Sequence, residues 1–320
     1  MYKIKQIPED FYVKELINLD INSGKYAYFL LKKRNLTTLG SLELISEKSR
    51  INLKNFGYAG NKDKNAITDQ FISVLHGHKN LENLKIRNIE LRFIGYGRER
   101  INLGRNIGNE FMIVVRNLNK KHNRINFIVN YFDEQRFSKN NVLIGRLLIK
   151  RNFKEACKLL NLDVNNPINS LNNLNKKSLR FYIHSYQSHI FNEVVSEYLK
   201  ERYKTYKKIK YSLGNFIFVN KKEKLSFPLI SFDTKFKKKD NIYLKILKKE
   251  GIHLKDFLIK QLPFLIEETI YRDVLVDVKN FKTLNYEKDE LNSNKFKQMI
   301  KFSLPKGSYA TILIKQMFEH

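Results

Sequence analysis

The stretch Gly57–Phe71, GYAGNKDKNAITDQF, sets one carboxylate, Asp63, between two ammonium groups, Lys62 and Lys64. Nearby positive charge favours the ionised form of a carboxylate. Gly57 and Gly60 permit a tight loop whose backbone can approach a ligand closely. An ionised aspartate on such a loop can act as a nucleophile or as a general base. Lys62 and Lys64 can hold both that carboxylate and a phosphate. The same residues also fit an exposed surface turn, so the rest of the chain has to decide.

Several other chemistries lack their motifs. LPKGS has the wrong preceding spacing for a phosphate-binding GxxxxGK[ST] loop. GYGRER is not G-x-G-x-x-G, the dinucleotide signature. NKDK has no aspartate at the offset that guanine recognition by NKxD needs. His76-Gly77-His78 is too short and isolated for a metal site and reads as a turn. No G-x-S-x-G occurs, and Cys157 lies in an apolar helical pattern, so a nucleophilic triad is not indicated.

Charge narrows the field further. Sixty Lys and Arg face 32 Asp and Glu, a formal charge of +28 on 320 residues. Such an excess neutralises phosphates and releases counterions, so a polyanion is the natural partner. A membrane surface would need a basic amphipathic helix or a lipidation signal, and neither is clear. No run approaches the roughly 20 apolar residues of a membrane span. The N-terminal MYKIKQIPEDFYVKEL has no apolar stretch of a secretory signal. One cysteine excludes a disulfide framework and any Cys-rich zinc site. These features point to a soluble protein of the reducing cytoplasm.

The elements that must position the loop come next. Tyr26–Lys32 has strand composition, and Gln70–Leu75, Ile89–Gly97 and Phe111–Leu118 are β-rich and bounded by Gly or Asn, so they read as strands. Thr38 is the expected N-cap of a helix of about ten residues. Short strands with one helix between them indicate a mixed α+β domain. From about 140 to 268 the pattern is mostly helical: VLIGRLLIKRNFKEACKLLNL and SYQSHIFNEVVSEYLKERYKTYKKIK, which ends at Lys210, place apolar residues at i, i+3, i+4 spacing. Two lysine-dense stretches with interleaved aromatics follow, KKIKYSLGNFIFVNKKEK and KFKKKDNIYLKILKKE, each suited to phosphate contact. YEKDELNSNKFK reads as a turn-rich linker, and Gln298–Phe318 as a strand, a turn and an apolar segment. The simplest arrangement is one α+β domain made from both chain ends, with a helical domain inserted.

The Asp63 loop resembles the signature of the TruD family of tRNA pseudouridine synthases, G-x-A/G-G-x-K-D-x-x-A-x-T-x-Q. Gly60, Lys62, Asp63, Ala66, Thr68 and Gln70 fill it. Five further segments are similar to family motifs, in the family's order: KQIPEDFYVKE at Lys5–Glu15, INLGRNIGNEFMIVVR at Ile101–Arg116, NYFDEQRF at Asn130–Phe137, YQSHIFN at Tyr186–Asn192 and LPKGSYAT at Leu304–Thr311. The departures are few. Ser138 stands where Gly is usual. Lys315–Gln316 stands where Arg–Glu is common, and an ion pair there is expected to be missing.

The resemblance implies a pseudouridine synthase domain with a mainly antiparallel sheet, residues 1–128 and 272–320, and an inserted TruD domain, residues 129–271. It implies Asp63 as the catalytic aspartate, with Lys5 the basic residue near it. It implies Phe111 as the ring that stacks on the target uracil, with Asn109 and Lys62 in the same substrate site. The implied substrate is tRNA, most often uridine 13 of the D-arm, handled without redox cofactor, nucleotide or metal by a monomer. Whether Asp63 attacks covalently or removes the C2′ proton stays open. A non-catalytic RNA-binding protein or tRNA folding chaperone is the alternative, and a nuclease or methyltransferase is a third.

Overall fold

The computed structural model describes residues 1–137, 140–236 and 241–319. Two compact units emerge, one holding Met1–Asn126, Asp277–Ala310 and Met317–Glu319, the other Phe127–Val276 and Thr311–Gln316.

The first unit opens with β1 (Phe11–Leu16), β2 (Tyr26–Arg34), α1 (Thr38–Ser49), β3 (Phe56–Tyr58), β4 (Ile67–Leu75), β5 (Ile89–Gly97) and β6 (Gly108–Leu118). The helix starts one residue earlier than the sequence suggests. Thr37, not Thr38, is its N-cap, accepting the Gly40 N–H at 3.0 Å. Late in the chain two long strands, β13 (Lys279–Lys288) and β14 (Phe296–Pro305), join the same sheet. The segment read as a linker is therefore the two strand ends and the turn of a hairpin. The order is β13-β14-β6-β1-β4-β2-β5, with β3 beside β4, and only β1 and β4 run parallel among the described pairs.

Alternation along β2 explains the core. Ala27, Phe29 and Leu31 are fully buried and pack with Leu42 and Ile45 of α1 and with Ile72 and Val74 of β4. Cross-strand partners share a face. On that face the pairs run Ala27–Val74, Phe29–Ile72, Leu31–Gln70 and Lys33–Thr68. One end of the layer is thus apolar and the other polar, although all these side chains are buried.

A second buried cluster ties the chain ends together. Arg116 of β6 donates to Asp10 and to Asp289, each at 2.8 Å, and all three side chains are at most 3% exposed. Burial alone would raise the Asp289 carboxyl. Donation from the Asn117 and Leu291 backbone, Asn292 and Arg116 outweighs it and holds the group below the usual carboxylate range. A depressed folded-state value stabilises above the unfolded value of about 3.9 and is lost as pH falls through the folded one. Thermal midpoints are therefore expected to drop below about pH 4, and Asp289→Asn to flatten that acid limb.

The second unit contains β7 (Phe127–Val129), α2 (Asn141–Ile149), α3 (Phe153–Leu159), α4 (Pro167–Asn172), α5 (Lys176–Arg202), β8 (Lys207–Tyr211), β9 (Gly214–Phe218), β10 (Ser226–Leu229), α6 (Asn241–Glu250), β11 (Ile270–Asp273) and most of β12 (Leu275–Asp277). The C-terminal helix is α7 (Ala310–Phe318), of which Thr311–Gln316 belong here. The long helix stops at Arg202, short of the expected Lys210. Lys207–Phe218 forms a hairpin instead, because Ile209 and Tyr211 alternate inward and the chain turns at Ser212–Leu213, with Gly214 pairing opposite Tyr211. The lysines of KFKKKD fall partly outside the described residues, as does Ser138. The ion pair expected to be missing near the C-terminus is present in another form: Lys315 pairs with Asp133 at 3.1 Å and Glu134 at 2.6 Å. No described helix is long and apolar enough to cross a membrane.

Candidate active site

The site lies at the polar end of the sheet face in the first unit. Strand register builds it in two rows. One row runs Phe302, Phe111, Val13, Thr68 and Lys33 across β14, β6, β1, β4 and β2. The next places Leu304, Asn109 and Glu15 side by side. The loop between β3 and β4, which carries Asp63, is hydrogen-bonded to this end.

Asp63 finds its cation far away in sequence. Lys5 Nζ donates to Asp63 Oδ2 at 2.7 Å. The lysine side chain is 16% exposed and the aspartate 43% exposed. The carboxylate is therefore open to a ligand while its counter-ion is covered. Lys5 reaches it from a backbone at φ 58°, a left-handed conformation that non-glycine residues rarely adopt. Strain of this kind concentrates at functional sites. The same ammonium lies 4.1 Å from the centroid of Phe11, a cation–π contact that fixes its position.

Lys62 does something other than its sequence position suggests. Its ammonium turns away from Asp63 and pairs with Glu15 at 2.6 Å, with side chains 8% and 0% exposed. The reason is Glu15, which sits at an inward position of β1 and needs a countercharge when buried. Glu15 also accepts the Phe71 N–H at 3.1 Å. Lys62 is thus committed to holding the loop and is not free for a phosphate. Lys64 remains exposed.

Thr38, freed from capping, supports the loop as well. Its hydroxyl accepts the Lys62 N–H at 2.9 Å and donates to Gln70 Oε1 at 2.8 Å. The start of α1 therefore holds the residue immediately before Asp63.

Asn109 and Phe111 lie on β6 beside β1. The Oδ1 of Asn109 is buried without a hydrogen-bond partner, although buried polar atoms are nearly always paired. Phe111 is 6% exposed, with Phe302 stacked on it at 5.3 Å and Phe11 edge-on at 6.3 Å. It is first of all a packing residue, one of three rings linking β14, β6 and β1.

Glu15 and Lys33 carry no mark in the motif of the Asp63 loop, yet both contact that loop. The available signal was alternation: each occupies an inward position otherwise filled by apolar residues. Among the described residues, no group of three or more His, Cys, Asp or Glu is placed to hold a metal ion.

Comparisons with known proteins agree over nearly the whole chain. A family model described as tRNA pseudouridine synthase D (TruD) matches residues 2–166 and 211–317. A curated relative from Aquifex aeolicus, tRNA pseudouridine synthase D, is 30% identical over 99% of this chain and 98% of its own. A second, the probable tRNA pseudouridine synthase D 1 of Methanococcus maripaludis, is 29% identical over 99% of both. The crystal structure of a putative tRNA pseudouridine synthase D from Methanosarcina mazei shares the α+β fold. Its TM-score is 0.73 at 23% identity, over 99% of this chain and 93% of that one. The chain belongs to the tRNA pseudouridine synthase D (TruD) family, a family of isomerases.

Proposed function

We propose that this protein isomerises one uridine of tRNA, uridine 13 of the D-arm, to pseudouridine, with Asp63 as the reacting carboxylate. The observation that carries the reading is the ion pair of Lys5 with a half-open Asp63, 2.7 Å apart, on a loop held by Thr38 and Glu15. The catalytic domain is read as built from both chain ends, residues 1–128 and 272–320, and the inserted one as residues 129–271, with Thr311–Gln316 counted in the same compact unit as the inserted segment. The enzyme works as a cytoplasmic monomer.

The reaction breaks the C1′–N1 bond, turns the uracil and joins C1′ to C5. The C5 proton leaves and N1 gains one, so atoms balance without a redox partner. Asp63 serves either by attacking covalently or by removing the C2′ proton. The Lys5 ammonium donates to the carboxylate that both routes use and fixes its orientation. Asn109 Oδ1 offers an acceptor for the imide N–H of a flipped uracil, which would satisfy an atom left unpaired. Lys62 contributes through the loop it anchors. The charge of +28 supplies contacts to the RNA backbone.

Phe111 is assigned the stacking surface for the flipped base, alongside its packing role. Phe111→Ala should cost about 3–5 kcal/mol of stability by leaving a cavity. Phe111→Leu separates the roles: it should fold, yet lose about tenfold or more in turnover if the ring stacks on a base. Unchanged turnover would assign the ring to packing alone.

The test is carbodiimide primer-extension mapping on unmodified tRNA transcripts with no added cofactor. A new stop at uridine 13 is expected. A stop at another uridine would keep the reaction and overturn the position. No product across a full tRNA set, despite salt-sensitive binding, would favour the RNA-binding protein or chaperone.

A further inference from the structure

The Asp63 loop has one more contact. Lys33 lies on β2 in the inward row of Ala27, Phe29 and Leu31, and the residue is 1% exposed. Its Nζ donates to the main-chain oxygen of Leu36 at 2.5 Å and to that of Asp63 at 3.1 Å. Among the described residues no carboxylate lies within ion-pairing distance of it. A buried ammonium served by two neutral carbonyls is an expensive choice for a core position, where leucine would pack without charge. Burial lowers the ammonium to about 8, with the Asp63 charge acting in the opposite direction. Across the sheet, Thr68 also keeps a buried hydroxyl oxygen unpaired. Energy is thus spent on polarity where the fold alone asks for none.

What the ammonium joins is specific. It links the segment that leads into α1 to the carbonyl of Asp63 itself. Thr38 holds the preceding N–H, that of Lys62, and Lys5 holds the carboxylate. Asp63 is thereby fixed through its own carbonyl, the adjacent residue's N–H and its carboxylate.

We infer that Lys33 is a positioning residue for the isomerisation, holding the Asp63 main chain so that the carboxylate meets the ribose or base in reactive geometry. The inference rests on Asp63 being the reacting group. It acts through Asp63 and not by touching RNA, so its loss should slow the chemical step and spare tRNA binding. Misplacement by about 1 Å costs on the order of 100-fold in rate.

The test is single-turnover release of tritium from C5 of uridine-labelled tRNA, with tRNA affinity and thermal midpoint measured on the same preparations. Lys33→Met removes the charge and its desolvation cost together. It is expected to keep the midpoint within about 5 °C of wild type. Its single-turnover rate should fall about 100-fold while tRNA affinity stays within about twofold. Lys33→Arg retains a cationic donor and is expected to recover about tenfold of that loss. A Lys33→Met rate within about threefold of wild type would overturn the inference, as would a loss that Lys33→Arg leaves uncorrected. Asp63→Asn runs alongside: turnover by that variant would remove the reading of Asp63 itself, a failure distinct from that of Lys33.

Discussion

Asp63→Asn is expected to abolish pseudouridine formation, lowering the single-turnover rate by about 10⁴-fold or more while leaving tRNA affinity within about threefold. The substitution keeps the shape of the side chain and its contact with Lys5, and removes only the negative charge. Asp63 is 43% exposed, and the asparagine oxygen can still accept from the covered Lys5 ammonium, 16% exposed, which loses its countercharge but keeps its hydrogen bond. A stability change of more than about 1 kcal/mol is therefore not expected. Loss of activity with intact binding separates an enzyme from an RNA-binding protein or chaperone, whose function would survive the change. Lost activity with lost binding would make the charge part of RNA recognition instead.

The second large effect falls on the loop's anchor. Lys62→Met should lower the unfolding free energy by about 3–5 kcal/mol, because it strands a buried carboxylate. Glu15 is 0% exposed and would keep only the Phe71 N–H at 3.1 Å. The double variant Glu15→Met/Lys62→Met should recover most of that loss, since apolar residues of similar volume often replace a buried pair without penalty. Urea unfolding of the two single variants and the double one gives the coupling directly. A cost below about 1 kcal/mol for Lys62→Met would show that Glu15 is not held as a buried anion. The recovered double variant should still turn over slowly, since its stability returns while the polar anchor of the Asp63 loop does not.

Much of this was legible in the sequence, in places where local pattern and tertiary role coincide. Alternation and β-branched residues mark the four strands at Tyr26, Gln70, Ile89 and Phe111, but only Ile89–Gly97 matches at both ends: Tyr26–Lys32 stops two residues short, and the strands read from Gln70 and Phe111 start three residues earlier, at Ile67 and Gly108. The Asp63 loop stood out through its glycines and charges. What escaped was set by partners distant along the chain. Lys62 looked like a neighbour of Asp63, yet Glu15, 47 residues away, draws it inward. Thr37 and Thr38 are equivalent as letters, and only the fold shows that one caps α1 while the other holds the loop. The helix expected to run to Lys210 ends at Arg202, because Lys207–Phe218 pairs as a hairpin that helical periodicity does not reveal. Lys33 was hidden by its type: a lysine in a basic chain reads as surface, and only its register beside Ala27, Phe29 and Leu31 marks it as buried.

The most direct test of the central claim is tritium release from C5 of uridine-labelled tRNA by wild type and Asp63→Asn, without cofactor. Pseudouridine formation must expel that C5 proton, so the account expects stoichiometric release by wild type and none above background by the variant. Release by Asp63→Asn at a rate comparable to wild type would contradict it, and would place the reacting group elsewhere.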